Sequence, residues 1–261
     1  GEVLPRGCNK ILDADHLNAA RCKTLFDLGM GIGKFALQAF VQFPNLDRVV
    51  GVELAQSRFV LGEKAALTLV AETRDNGASR YRLLSRVPSE RIIVAQSMID
   101  GRERLLEFRK GNLFAATDCH DADIVIAQTN FPTEMQTKLC RFLGCLKPGA
   151  KILTYLNLFP LWKRAPIIFR QLDVNRSPED RFATSWSMHR GCHFYLWERS
   201  HPGAYFEGQK HQEYGPNGER GHGFRASSDG VTCFPAFFRC CGAESARIQN
   251  SPDGNGGSSF R

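Results

Sequence analysis

The sequence predicts an α/β fold, Rossmann-like and doubly wound, with a mostly parallel sheet that ends in a C-terminal antiparallel hairpin. Three observations predict it. From Thr24 onward, short apolar runs alternate with amphipathic stretches; a glycine-rich turn joins the first run to the first amphipathic stretch; and two further runs lie close together near residue 190. Strands that alternate with helices are typical of a parallel sheet.

The predicted elements follow in chain order. The run LFDLG after Thr24 is the first strand, and KFALQAFVQF is the first helix, which Pro44-Asn45 ends. The run RVVGVEL is the second strand, and a helix follows it from Ala55 to about Glu72. Further elements are predicted as strands at 105–109, 124–128 and 151–158 and as a helix at 133–146, which ends before Lys147-Pro148-Gly149.

The end of the folded region is predicted to be antiparallel. Residues 181–187 and 193–199 should pair as a hairpin, because only a short loop containing Gly191 separates them. A parallel sheet that ends in this way is the layout of class I methyltransferases. Residues 201–261 hold 11 of the 24 glycines and show no sustained periodicity, so we expect them to be largely disordered. The sequence thus predicts a folded domain at 1–200 and a glycine-rich tail at 201–261.

Composition narrows the class of protein. No stretch approaches the roughly 18 uncharged residues of a membrane span, and the start lacks a signal pattern, so we expect a soluble intracellular protein without a membrane contact. The nine cysteines form no CxxC pair, which favours reduced thiols and no metal site. The tail contains six basic and six acidic residues, so the net charge of +7 lies in the first 200 residues and fits an acidic partner such as nucleic acid or a nucleosome.

The glycine-rich turn is the first element of a predicted cofactor site. It reads Asp27-Leu28-Gly29-Met30-Gly31-Ile32-Gly33, with the spacing GxGxG rather than the GxGxxG of a dinucleotide site. Lys34 is followed by Phe35, so the GK[ST] pattern of a phosphate loop is absent. NAD is the main rival ligand. Asp27 argues against NAD, because a carboxylate would repel a pyrophosphate but would attract a cationic amino group.

Two later positions complete this site. Glu53 ends the second strand, 20 residues after Gly33, where a carboxylate can accept hydrogen bonds from both hydroxyls of a ribose. Asn112 and Leu113 follow a third strand, and an amide beside an apolar side chain suits the polar edge and the flat face of adenine. An ordinary strand-to-helix turn would explain the glycines alone, but the ordered combination favours S-adenosylmethionine as the cofactor.

These motifs resemble the disruptor-of-telomeric-silencing (DOT-type, non-SET) family of histone H3 lysine methyltransferases, over roughly residues 1–200. DLGMGIGK at 27–34 is similar to the DLGSGVGQ motif of the family, and GVE at 51–53 matches its GVE. GNL at 111–113 stands in place of GDF, and Asn130-Phe131 in place of the end of NNF. The sequence also has GEV at 1–3, SW at 185–186 and FYL at 194–196, where the family has YGE, SW and YYL.

The resemblance implies a role for each part of the site. The methionine moiety of the cofactor would be covered by the first three residues, Gly1, Glu2 and Val3. Its amino and carboxylate groups would be lined by Asp27, Gly29 and Lys34 on a loop that also contains Gly31 and Gly33, while Glu53 would hold the ribose and Asn112 and Leu113 the adenine. The partner would be histone H3 in the nucleosome, with an electrostatic contact to nucleosomal DNA, and the location would be the nucleus.

The acceptor side is predicted from position and chemistry. Thr129 and Asn130 end a strand, where open α/β sheets bind ligands, and Phe194 and Tyr195 supply aromatic surface, together with Phe131, for a narrow channel that admits a neutral lysine. Plain core packing would also explain the aromatic residues. Thr129 and Phe194 stand where the family has asparagine and tyrosine. Two alternatives therefore stay open: a methyltransferase for another protein or for RNA, and a cofactor-binding pseudoenzyme in chromatin.

Overall fold

The computed structural model describes residues 2–71, 80–158, 169–172 and 181–200. All of them lie in the first of two units, Gly1–Tyr205. Gly1 and the tail at 201–261 lie outside the described residues, so the predictions made for them stay predictions. In the described part, no helix combines the length and the apolar character that crossing a membrane requires.

Eleven strands are present in the described residues. In chain order they are β1 (Thr24–Leu28), β2 (Arg48–Glu53), β3 (Arg82–Val87), β4 (Arg91–Ser97), β5 (Glu103–Lys110), β6 (Ile124–Ala127), β7 (Lys151–Thr154), β8 (Phe169–Gln171), β9 (Phe182–Thr184), β10 (Ser187–Cys192) and β11 (Tyr195–Arg199). Nine of them form one sheet in the order β3-β4-β5-β2-β1-β6-β7-β11-β8, and β9 with β10 forms a separate pair. The five central strands of this sheet, in the order β5-β2-β1-β6-β7, are mutually parallel. The predicted fold class is therefore confirmed.

Helices cover both faces of the sheet. They are α1 (Pro5–Leu12), α2 (Lys34–Gln42), α3 (Gln56–Ala71) and α4 (Thr133–Gly144), with 3-10 turns at Ala19–Arg21, Leu113–Ala115 and Thr117–Asp121. Because side chains alternate along a strand, Leu25 faces a core that contains Phe40 and Phe59 of α2 and α3. The next residue, Phe26, faces a second core that contains Phe142 of α4. Two helical layers around one sheet thus fix where the strands end.

The predicted pairing of the two strands near the end of the folded region is wrong. Residues 181–187 and 193–199 do not pair with each other: β9 pairs with β10, and β11 lies antiparallel between β7 and β8 of the main sheet. Gly191, predicted as a loop residue, belongs to β10. The physical reason lies in β11, where Leu196 and Trp197 point to opposite faces and are both completely buried. A strand that is buried on both faces requires a neighbour on each side and cover above and below.

The sequence analysis also missed α1, β3, β4 and β8. The hairpin of β3 and β4 is the largest of these, and Pro88-Ser89 between its two apolar runs was the signal that could have identified it. β7 ends at Thr154, not at residue 158 as predicted. The hairpin extends the sheet beyond β5, at the edge nearest to the predicted adenine position.

Candidate functional site

The glycine loop lies at the carboxyl end of β1, where ligands bind in open α/β sheets. Gly29, Gly31 and Gly33 all have positive φ values, of 85°, 60° and 79°, which side chains rarely adopt. Space is a second constraint, because a Cβ on Gly33 would lie 2.8 Å from the ring of Phe108. A Cβ on Gly29 would collide with the hydroxyl of Thr129. These two glycines are therefore required both for the backbone path and for the close packing of the loop.

Glu53 holds this loop from the neighbouring strand. Its side chain is buried, and one carboxylate oxygen accepts a hydrogen bond of 2.9 Å from the N–H of Gly31. The other oxygen accepts from the N–H of Ala55 at 2.7 Å and from the guanidinium of Arg58 at 2.8 Å. Sequence reasoning placed Glu53 in the site but did not identify Arg58, its counter-ion. The carboxylate thus shapes the loop as well as facing the position predicted for a ribose.

The N-terminal segment lies beside the loop, as predicted for Glu2 and Val3. The N–H of Glu2 donates to the hydroxyl of Ser185 at 2.9 Å, and Val3 forms a bridge with Thr184. The carboxylate of Glu2 forms an ion pair of 2.8 Å with Lys34. Strand β9 and the turn after it therefore anchor the segment, and they place a carboxylate next to the first turn of α2. Val3 itself is buried and contributes packing to the first core.

Asp27 is the most unusual group of the site. Its side chain is fully buried, and neither carboxylate oxygen has a hydrogen-bond partner among the described residues. Burial, together with the negative charges of Glu53 and Glu2, raises the pKa of Asp27 to about 7. Glu2 is paired with Lys34 and Glu53 with Arg58, so Asp27 is the member of this carboxylate group that lacks a counter-ion. A cation next to Asp27 would therefore be stabilised by its ionised carboxylate.

The predicted adenine side lies at the end of β5, which pairs with β2. The N–H of Gly111 donates to the backbone oxygen of Glu53 at 2.9 Å, so the turn that contains Asn112 and Leu113 is tied to the ribose side. The side chain of Asn112 accepts from the N–H of Phe114 at 3.0 Å and caps the 3-10 turn that follows. Asn112 is exposed and Leu113 is partly buried. Both predicted residues thus share one edge of the sheet with the glycine loop.

Thr129 and Asn130 follow β6 at the same edge. The hydroxyl of Thr129 lies against Gly29 and donates to the backbone oxygen of Leu28 at 3.5 Å. Asn130 is exposed, and Phe131 is buried in the second core, where its ring centroid lies 6.1 Å from that of Phe114. Thr129 therefore contacts the cofactor loop directly, and Asn130 is the member of this pair that faces solvent.

The structure does not bring the predicted channel rings together. Phe194 is completely buried in the first core, whereas Tyr195, the first residue of β11, packs in the second core with its ring stacked on Trp197 at 6.2 Å. Phe194 instead lies 6.0 Å from the ring of Tyr155, which in turn lies 6.4 Å from Trp186. Because adjacent residues of a strand point to opposite faces, Phe194 and Tyr195 lie on different sides of the sheet.

Tyr155 and Trp186 are the aromatic residues that sequence reasoning missed as site candidates. They are 37% and 46% exposed, high values for large rings at the carboxyl edge of the sheet. Tyr155 follows the last residue of β7, and Trp186 is adjacent to Ser185, which holds the N-terminal segment. The position of Tyr155 at a strand end was the signal available in the sequence. Among the described residues, no group of His, Cys, Asp or Glu could hold a metal ion.

No protein-family model matches the sequence, and no curated protein matches it. Solved structures of similar fold include yhhF from Escherichia coli, described provisionally as a methyltransferase, with 11% identity and a TM-score of 0.46 over 76% of this chain and 88% of that chain. A Clostridium thermocellum protein described provisionally as an rRNA-methylase has 12% identity and a TM-score of 0.44 over 78% of this chain and 98% of its own. An amino pentose methyltransferase from Micromonospora echinaspora, solved with S-adenosylmethionine, has 17% identity and a TM-score of 0.35 over 59% of this chain and 51% of its own.

Proposed function

We propose that this chain is an S-adenosylmethionine-dependent methyltransferase. The observation that carries the proposal is the buried, unpartnered carboxylate of Asp27 beside a loop of three positive-φ glycines. S-adenosylmethionine carries an ammonium and a sulfonium, and it would supply the counter-ion that Asp27 lacks. Nicotinamide dinucleotides would instead place a pyrophosphate next to the carboxylates of Glu2, Asp27 and Glu53, which repel it.

The residues of the site fit the parts of this cofactor in order. Asp27 would accept the ammonium, and Lys34, next to Glu2, would attract the carboxylate of the methionine moiety. Glu53 would accept the ribose hydroxyls, and this requires Arg58, which is more than half exposed, to share or release its carboxylate oxygen. The turn at Asn112 and Leu113 would receive the adenine. The fit rests on this chain's own side chains.

When bound, the cofactor supplies a methyl group on a positively charged sulfur. That methyl group would pass to an acceptor nitrogen, with a C–N bond formed, the C–S bond broken and the electron pair left on the sulfur of S-adenosylhomocysteine. The residues of this chain would hold donor and acceptor in line and exclude water. A lysine acceptor must arrive neutral although its usual pKa is about 10.4, and apolar surroundings favour the neutral amine. Tyr155 and Trp186 offer such a surface at the edge of the sheet.

For the substrate, we propose a lysine on the globular core of histone H3 in nucleosomes, with the nucleus as the location. Two features support this choice: the ordered set of motifs similar to the DOT-type family, and the net charge of +7, which suits a particle covered with DNA. A methyltransferase for another protein or for RNA is the second candidate. A pseudoenzyme that binds the cofactor in chromatin is the third, because Thr129 and Phe194 depart from the family pattern.

One assay separates these candidates. The chain would be incubated with tritiated S-adenosylmethionine and, side by side, with intact nucleosomes, free histones and RNA. We expect label on histone H3, with more label on nucleosomes than on free histones. Label on RNA or on another protein would support the second candidate, and cofactor binding without transfer to any acceptor would support the third. Failure to bind the cofactor in calorimetry would overturn the methyltransferase proposal itself.

The pKa of Asp27 gives this proposal a pH dependence. The bound ammonium requires an ionised Asp27, but the free protein holds a proton there below a pKa of about 7. Affinity for S-adenosylmethionine should therefore fall as the pH drops below 7, approaching about tenfold for each pH unit. The pKa of Asp27 in the folded free protein lies above its value in the unfolded chain. Its contribution to the stability of the folded free protein is therefore fully present below the unfolded-state pKa and is lost as the pH rises through 7.

Calorimetric titration between pH 5.5 and pH 7.5 measures the effect. Neighbouring titratable groups are Glu2, Glu53 and the buried thiol of Cys8, whose pKa burial raises far above this range. The control is Asp27→Asn, which should bind more weakly but with little change across the same range. An affinity of the unaltered protein that does not change with pH would exclude Asp27 as the partner of the cofactor's cation.

A further inference from the structure

The β3–β4 hairpin, with β5, forms the basic edge of the sheet. Residues 80–112 contain eight Lys or Arg and four Asp or Glu, and this segment alone supplies more than half of the chain's net charge of +7. The hairpin is antiparallel, and β4 continues antiparallel onto β5. Every residue of β3 is exposed. A concentrated positive charge on an exposed sheet edge is an interaction surface for an acidic partner.

The two faces of this edge differ. On one face α3 packs against the apolar side chains of β4 and β5, and its buried Glu63 pairs with Arg86 at 2.8 Å. The other face carries arginines from four strands, which we call the arginine face: Arg48, Arg82, Arg91 and Arg109. Strand register places Val87 opposite Arg91, and Arg91 opposite Arg109, so these side chains share one face. Arg86, one residue before Val87, points to the α3 face.

Carboxylates hold the guanidinium groups of the arginine face in place. The buried Glu107 accepts hydrogen bonds from Arg48 at 3.0 Å, from Arg91 at 2.6 Å and from Arg109 at 2.8 Å. Although burial alone would raise it, these hydrogen bonds, above all that of Arg109, lower the pKa of Glu107 to about 2. Glu107 is therefore ionised at any physiological pH. The side chain of Arg91 nevertheless remains 51% exposed. Its guanidinium is thus fixed on one side and accessible on the other.

A concavity next to Arg91 lies at the end of this face that is nearer to the predicted cofactor site. It has a volume of about 410 Å³ and is lined by Val87, Glu90, Arg91, Arg109 and Lys110. Lys110 is exposed and lies opposite Glu53 in the register of β5 and β2. The next residues along the chain are the turn predicted to hold adenine. An anion bound in this concavity would therefore lie beside the cofactor, where the molecule that carries the methyl acceptor has to approach.

We propose that the arginine face, together with Lys110, binds the phosphate backbone of nucleic acid and so positions the substrate particle at the cofactor site. This inference rests on the proposed function only for the identity of that particle. Guanidinium groups that are held in place yet remain partly exposed, from 23% for the side chain of Arg109 to 63% for that of Arg82, are suited to bidentate contact with phosphate. Phosphate contacts of this kind position a protein on nucleic acid without reading its sequence. The regularly spaced phosphates of a nucleic acid can contact cations on several strands at the same time. The isolated carboxylates of a protein surface fit such a spread of cations less well.

The test compares two pairs of substitutions with the same loss of charge. Arg91→Gln with Lys110→Gln removes the accessible cations of the concavity, and Glu107 keeps Arg48 and Arg109 as partners. The control pair, Lys64→Gln with Arg141→Gln, removes two exposed cations from α3 and α4. Binding to fluorescent duplex DNA, duplex RNA and polyglutamate would be measured by polarisation at several salt concentrations, without histones.

We expect the concavity pair to weaken duplex binding about tenfold, and to make the slope of log affinity against log salt shallower by about 1.8, because each lost phosphate contact contributes about 0.9. The control pair should stay within about twofold. The DNA and RNA arms identify the natural source of the phosphate. An equal loss in both pairs, no loss in either, or a loss for polyglutamate alone would overturn the inference. Calorimetry with the cofactor is an independent readout, so a failure of the proposed function would be seen separately.

Discussion

Replacing Arg104 with methionine should lower the free energy of unfolding by about 3–5 kcal/mol, as expected when a buried charged network loses its central member. Arg104 is 1% exposed, and its guanidinium lies over the ring of Phe40 at 4.5 Å. It donates to the backbone oxygens of Leu46 at 2.8 Å and Phe43 at 2.9 Å, and to the side chain of Gln96 at 2.8 Å. Methionine fills similar space but leaves these acceptors buried without a donor.

The consequence reaches the glycine loop through α2. Arg104 also donates to the backbone oxygen of Phe40, so it satisfies carbonyl groups at and after the end of the helix whose first residue, Lys34, follows the loop. Urea denaturation followed by circular dichroism measures the change. Arg102→Met is the control, because Arg102 is exposed and paired only with Asp47 and Asp100 in the surface ion pairs described, so a much smaller loss of stability is expected. Equal stabilities of the two variants would contradict the role of Arg104.

Glu53→Ala should weaken binding of S-adenosylmethionine by about 1–3 kcal/mol, because buried ribose hydroxyls would lose a charged acceptor. The structure adds a second cause to this loss. The N–H of Gly31 and the guanidinium of Arg58 would also lose their acceptor, so the loop would be less well ordered before binding. Glu53→Gln keeps an acceptor oxygen and should lose less affinity. Isothermal calorimetry on variants shown to be folded by circular dichroism measures both effects.

Glu63→Ala provides a matched control for Glu53→Ala. Both carboxylates are 3% exposed, and each is paired with one arginine, Glu63 with Arg86. Because the carboxylate of Glu63 accepts from Arg86 and from the N–H of Ser89 in the hairpin rather than from the glycine loop, its loss should lower stability and leave cofactor affinity unchanged within about 0.5 kcal/mol. If the two variants lost affinity equally, the change would reflect general destabilisation, and the ribose assignment of Glu53 would be wrong.

Sequence patterns were sufficient for the central part of the fold. The runs around β1 and β2, the helices α2 and α3, and the glycines between them were predicted within a few residues of their observed bounds. Strand and helix periodicity are local properties, and a tight turn with positive φ requires glycine whatever surrounds it. For the same reason Asp27 and Glu53 could be placed at strand ends. Their position at one edge of the sheet follows from the parallel pairing of β1 with β2.

Contacts between distant parts of the chain were decided only by the tertiary structure. The anchor of Glu2 is Ser185, and the loop contact of Thr129 is Gly29, 100 residues earlier. The sequence could not show that Asp27 has no hydrogen-bond partner among the described residues, because a missing partner depends on every side chain that packs around it. Nor could it separate the accessible Arg91 from Arg86 on the α3 face, since a bulge in the hairpin shifts the register between Leu83 and Ser85.

The sequence by itself determined β1, β2, α2 and α3, the glycine loop and the acidic residue behind it, because each depends on residues close together in the chain. The tertiary structure alone decided that β11 lies between β7 and β8, that Phe194 and Tyr195 face different cores, and that Asp27 has no counter-ion in the described part of the chain. Those outcomes depend on which surfaces meet after folding. The burial of a side chain, its partners and its electrostatic environment depend on the contacts between these surfaces. A linear pattern of residue types contains no distances between remote segments of the chain.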